Sequence, residues 1–150
     1  MSSNPASSCA NVHKDFHGAL SYGLDFIEKS YGFDGLCSFL SVMAPAVYQP
    51  LIEDLRVRGL VALAEHWQKV FALEAGDYEL QADEDVLTLT VRRCPAIDHM
   101  QEHGYAIAEH FCEHTRVVNE AVCRAAGYRA EVVYDQAAGS CVQRFWKDAS

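Results

Sequence analysis

Several familiar features are missing from this sequence, and each absence removes a class of protein. No apolar run approaches the roughly 18 residues that a membrane span needs. The opening "MSSNPASSCANVHKDF" has neither a basic stretch nor an apolar core, so it does not read as a secretory signal. Basic residues are few, 12 against 21 acidic, and the formal charge is −9. A phosphate backbone or an anionic membrane is therefore repelled, because the densest basic runs, Arg56-Val-Arg58 and Arg92-Arg93, are too short to overcome that field. There is no GxSxG elbow, P-loop or GxGxxG, which disfavours serine hydrolases, NTPases and dinucleotide enzymes. Neither CxxC, HExxH nor ExxH occurs, so a structural zinc ribbon, a zincin and a di-iron bundle lack their signatures.

What remains is an ordinary soluble composition, 50% apolar and 22% charged over 150 residues, enough for one core without disulfides. A cytoplasmic location is expected. The six cysteines, Cys9, Cys37, Cys94, Cys112, Cys123 and Cys141, should then be thiols.

Residues 1–8 read as a flexible leader ending in a helix cap at Ser7 or Ser8, with a single α+β domain over 9–150. A first helix carries the stripe Val12, Phe16, Leu20, Leu24 and Ile27 to about Tyr31, where Gly32 stops it. Asp34 caps a second helix that Pro45 kinks or ends, and a short helix runs from Pro50 to Arg58. "LVALAEHWQKVFALEAG" buries Leu60, Leu63, Ala64, Trp67, Val70 and Phe71 and closes on Gly76.

The pattern then changes to alternation. "YELQA" and "VLTLTVRR" flank an acidic turn as a hairpin, and "RAEVVY" and "SCVQRFW" form a second one around "DQAAG". Between them lie a short helix from Pro95 to Gly104 and a long one from about Ala106 to Ala126, stopped by Gly127. The expected fold is α+β: N-terminal helices packed on an antiparallel sheet made of two β-hairpins separated by a long helix.

Six of the seven histidines form pairs spaced i,i+4: His13 with His17, His99 with His103, and His110 with His114. That spacing on a helix puts two imidazoles within reach of one ion. Were residues 98–114 a single helix, the four histidines there would point at about 0, 40, 20 and 60° around its axis, one stripe. Gly104 interrupts that geometry. The alternative is a wet helix face, since Glu precedes His66, His103, His110 and His114. Asp98, Glu109, Glu113 and Cys112 are the nearby groups that would complete a metal site.

Cys94 stands just before a helix N-terminus, where the dipole favours thiolate, and Cys141 opens the last strand. Packing of the two hairpins side by side would bring them into one neighbourhood. Cys112 is expected mid-helix with its side toward the sheet, while Cys9, Cys37 and Cys123 read as small buried hydrophobes.

"LTLTVRRCPAIDHMQEHGYAIAEHFCEHTRVVNEAVCRAAGY", followed by "AEVVYDQAAGSCVQRFW", resembles the family of L-2-amino-thiazoline-4-carboxylic acid hydrolases. The matching features are a strand ending in Cys94-Pro95, a helix bearing Cys112, and a closing hairpin with Gly139, Cys141 and Phe145. The element order also resembles vinyl-reductase-like sensor domains, although a paired cysteine of that pattern is replaced around Tyr134-Asp135.

The resemblance implies a small hydrolase acting on a non-peptide C–N bond of a cyclic amidine. Cys94 would be nucleophile or ligand, and His99 or His110 the proton carrier. Arg92 or Arg93 would meet a substrate carboxylate, with Cys112 also at the substrate. A metal-assisted version has Cys94, Cys141 and a histidine among His103, His110 and His114 holding one divalent ion, zinc, iron or manganese. The competing expectation is a sensor-like module that binds a small molecule, haem or metal without turnover. The expected partner is a small molecule, with a possible homodimer and no nucleic acid or membrane.

Overall fold

The computed structural model describes residues 13–149. The expected leader, its cap at Ser7 or Ser8, Cys9 and Val12 lie outside the described residues. Helix α1 spans Phe16–Val47 but is two arms: Gly32, at φ 78° and ψ 175°, breaks it at the residue expected to stop the first helix. The second arm passes through Pro45 before ending at Val47. Helix α2, Gln49–Arg58, turns away by 68°, and α3, Leu60–Glu74, follows directly after Gly59.

The expected stripe holds at Leu20, Leu24 and Ile27, which pack into the apolar core, and fails at Phe16. Phe16 is 48% exposed, while His17, Ser21 and Leu24 occupy the buried positions. They are spaced i, i+4 and i+7, so they form one helix face with two polar members.

The strands β1 (Asp77–Ala82) and β2 (Val86–Arg93), then β3 (Tyr128–Asp135) and β4 (Ser140–Lys147), form the two expected hairpins. They join into one antiparallel sheet of order β1-β2-β4-β3, with Leu87 opposite Phe145, Leu89 opposite Gln143 and Val91 opposite Cys141. One face, carrying Leu87, Leu89, Val91, Gln143, Phe145 and Val132, is buried, and the other exposes Val133. Leu55, Leu63 and Phe71 from the helices pack on the buried face. A second apolar cluster lies among α1, α4 (Pro95–Glu102) and α5 (Glu113–Ala126), centred on Leu24, Leu36, Met100, Phe111 and Val122. Cys94 packs against both clusters.

The long helix departs from the expectation. It begins at Glu113, not near Ala106, and Cys112 is its N-cap instead of a mid-helix residue. Gly104, at φ +67°, ends the preceding helix, and residues 105–112 are irregular. Two side chains take the backbone groups that a helix would have used. Ser21 Oγ accepts from Ala108 N–H at 2.8 Å and donates to the Ala106 carbonyl at 3.1 Å. Gln136, in the β3–β4 turn, donates to the Ala108 and Glu109 carbonyls and accepts from Cys112 N–H at 3.0 Å. Buried backbone must be paired, and these contacts pair it while Ala108 and Phe111 enter the core.

Ser21→Ala would leave the Ala108 N–H unsatisfied and should cost about 1–3 kcal/mol. Urea unfolding of the variant beside wild type measures it, and an unchanged midpoint would show that the clamp contributes nothing.

Candidate functional site

The irregular segment and the central strand pair bring three thiols together. Cys94 N–H donates to the Gly139 carbonyl at 2.7 Å, which ties the start of α4 to the turn before β4. Cys141 follows two residues later, opposite Val91. Cys112 is drawn in by Gln136 of the same turn. The thiols act on one another: burial first, then charge on Cys94 and Cys141, pushes the Cys112 thiol up to about 12. Burial also raises Cys141, which accepts a 3.3 Å hydrogen bond from Gln143 Nε2 that partly offsets it. Asn119 donates to Gln143 at 2.7 Å and fixes its amide, since both are buried.

Cys94 is where opposing effects are clearest. The N–H groups of Ala96 and Ile97, in the first turn of α4, lower its pKa as the dipole argument requires. Burial raises it by more, and the charges of Glu74 and Asp98 add to the rise. The resting group is the thiol, where the sequence reading favoured thiolate.

Glu74 is 8% exposed and hydrogen-bonds through Oε1 to Nε2 of His17, itself 6% exposed. His114, half-buried, lies within electrostatic reach of His17. Its Nδ1 donates to the Phe111 carbonyl at 2.6 Å, and burial, with a smaller effect from His17, pushes its pKa down. The sequence reading did not place His17 or Glu74 in the site. A signal existed: Trp67, Phe71 and Glu74 are spaced i, i+4 and i+7 on the apolar stripe of α3, and an acid there needs a partner.

A cleft of about 210 Å³ lies outside this group, lined by Lys14, Ala75, Asp77, Arg93, Pro95, Asp98, His99 and Glu102. Ala75 and Pro95 are the chain neighbours of Glu74 and Cys94. Arg93 bridges Asp98 at 2.9 Å, whereas Arg92 is held at the sheet edge by Asp77 and Glu79. His99 Nε2 is 3.0 Å from Asp15 Oδ1, to which Tyr105 also donates, and its ring lies against that of His103. Hydrogen bonds from His99 and Tyr105 hold the Asp15 carboxyl below the usual range.

The candidate metal ligands do not converge. His103 donates Nδ1–H to the His99 carbonyl, His114 faces Phe111, and His110 turns to α1. Among the described residues, no three of Cys94, Cys141, His103, His110 and His114 offer ligand atoms within 4.8 Å of one another. His110 and His114 do not share a helix, so their spacing loses its meaning. His110 instead joins Glu28 and Glu109, and the ligand atoms of these three do lie within 4.8 Å.

No protein-family model matches the sequence, and no curated protein matches it.

The depressed pKa of His114 makes stability pH-dependent. Its contribution is complete above its ordinary value near 6.5 and is lost as pH falls through that value toward the lower folded one. Glu113 adds a second window. Burial alone would raise it, but hydrogen bonds from Arg116 and Tyr134 outweigh burial, so its contribution is lost below about pH 4.5. The thermal midpoint should fall in both windows, and His114→Asn should flatten the upper one alone. An unchanged upper slope in that variant would remove the assignment.

Proposed function

We propose that this chain is a small cytoplasmic thiol hydrolase that opens a C–N bond of a carboxylated cyclic amidine, the aminothiazoline-carboxylate class that the sequence resemblance implies. The observation that carries the reading is Cys94, a thiol facing the amides of the α4 N-terminus with the Glu74 carboxylate close enough to act on its charge. The free thiols among the described residues, Cys37, Cys94, Cys112, Cys123 and Cys141, suit a reducing compartment.

Because burial keeps Cys94 protonated, its nucleophile has to be generated at the moment of use by an adjacent base. Glu74, held by His17 and within electrostatic reach of Cys94, is the base this reading assigns. The thiol proton passes through Glu74 to the ring nitrogen as the sulfur bonds to the amidine carbon. The ring nitrogen then leaves as an amine, taking a proton from the exocyclic amino group. Water adds across the remaining C=N bond, and the Cys94 sulfur departs with the hydroxyl proton, regenerating the thiol. The Ala96 and Ile97 amides stabilise the sulfur while it carries charge. On the cleft side, Lys14 and Arg93 supply positive charge for the substrate carboxylate and His99 relays protons.

The test is ring opening of an aminothiazoline carboxylate, followed by release of the free amine. Wild type should turn over, Cys94→Ala should not, and Glu74→Gln should lose about 10²–10⁴-fold in kcat with a changed pH profile. Full activity in Cys94→Ala would overturn the mechanism. Wild-type binding without turnover would replace it with the small-molecule-binding reading.

A further inference from the structure

We infer that Glu28, Glu109 and His110 form a binding site for one divalent first-row transition-metal ion, separate from the thiol site and not dependent on the hydrolase reading. Glu28 comes from the first arm of α1, and the other two from the irregular segment. His110 Nδ1 is 2.6 Å from Glu28 Oε1, and one ligand atom from each of the three residues falls within 4.8 Å of the others. A single ion at ordinary metal–oxygen and metal–nitrogen distances of about 2.0–2.2 Å spans at most about 4.4 Å, so a side-chain adjustment of a few tenths of an ångström closes the three around it.

Two further features support a cation there. The first is charge. Two carboxylates meet with one imidazole, and the neighbouring cations are committed elsewhere: Lys29 to Asp25, and Arg116 to Glu113 and Glu120. Glu113 also feels His110, although Arg116 already offsets its charge. The second is preorganisation. The segment carrying Glu109 and His110 is held by Ser21 on one side and Gln136 on the other, and the Phe33 ring meets the imidazole edge-on. Most of the geometric cost of gathering ligands is met by the fold itself.

The donor set is two carboxylate oxygens and one imidazole nitrogen, with no thiolate. It suits manganese, iron, cobalt or zinc, and three protein ligands leave coordination positions for water or a ligand. On binding, the ion would displace the hydrogen bond between His110 and Glu28.

Mn²⁺ is the probe of choice, because thiolates compete for it poorly and its free-ion paramagnetic resonance signal vanishes on binding. Titration of the full chain should show one ion per molecule. Glu109→Gln, at an exposed position that the fold does not need, should weaken binding roughly tenfold or more, as should His110→Ala. Cys94→Ser should bind as wild type does. Absence of saturable binding in wild type would overturn the proposal, as would unchanged affinity in Glu109→Gln and His110→Ala.

Discussion

The pairing of β2 with β4 is the constraint on which this structure turns. It sets Val91 opposite Cys141 and makes one sheet out of two hairpins. The turn before β4 is thereby carried to the start of α4, where the Gly139 carbonyl takes the Cys94 amide. The same turn sends Gln136 into the irregular segment. Without that pairing, Cys94, Cys112 and Cys141 would belong to three unrelated places. A one-residue slip would turn Leu87, Leu89 and Phe145 out of the core, so the buried face fixes the register and the register fixes the site.

The interior chemistry follows from competition between burial and local polarity. Helix α4 offers its first amides to Cys94, yet desolvation is the larger effect. Cys141 repeats the pattern with a side-chain amide. His114 shows the opposite sign for the same reason, since burial disfavours charge whichever sign it has. The site is thus one in which the thiols and His114 rest neutral and polar partners stand ready.

Much of the fold was legible because it rested on local chemistry. Alternation marked both hairpins, Gly32 marked the break in α1, and Pro95 marked the start of α4. The irregular stretch before α5 was not legible. Its composition suits a helix, and what prevents one is Ser21 and Gln136, residues 87 and 28 positions away from Ala108. For the site, the neighbourhood of Cys94 and Cys141 was readable from topology. The spacing of His110 and His114 misled, because it assumed a helix from about Ala106 that begins only at Glu113, whereas His99 and His103 do lie ring against ring. His17 and Glu74 lay on apolar faces, where only knowledge of the partner explains a polar residue. Glu28 pairs across 82 residues with His110, beyond any local pattern.

The central pairing joins residues far apart in the chain: Val91 meets Cys141 only after the whole of α4, α5 and β3 has been laid down between them. Contacts of that span are the ones formed last and slowest, because the loop must close before the strand rewards it. The helices and the first hairpin can organise as the chain emerges, but the surroundings of Cys94 and Cys112 are completed only by the final strand. Maturation of the thiol centre is therefore a late folding event, and a chain lacking its last dozen residues would retain those two cysteines without the enclosure that defines their chemistry.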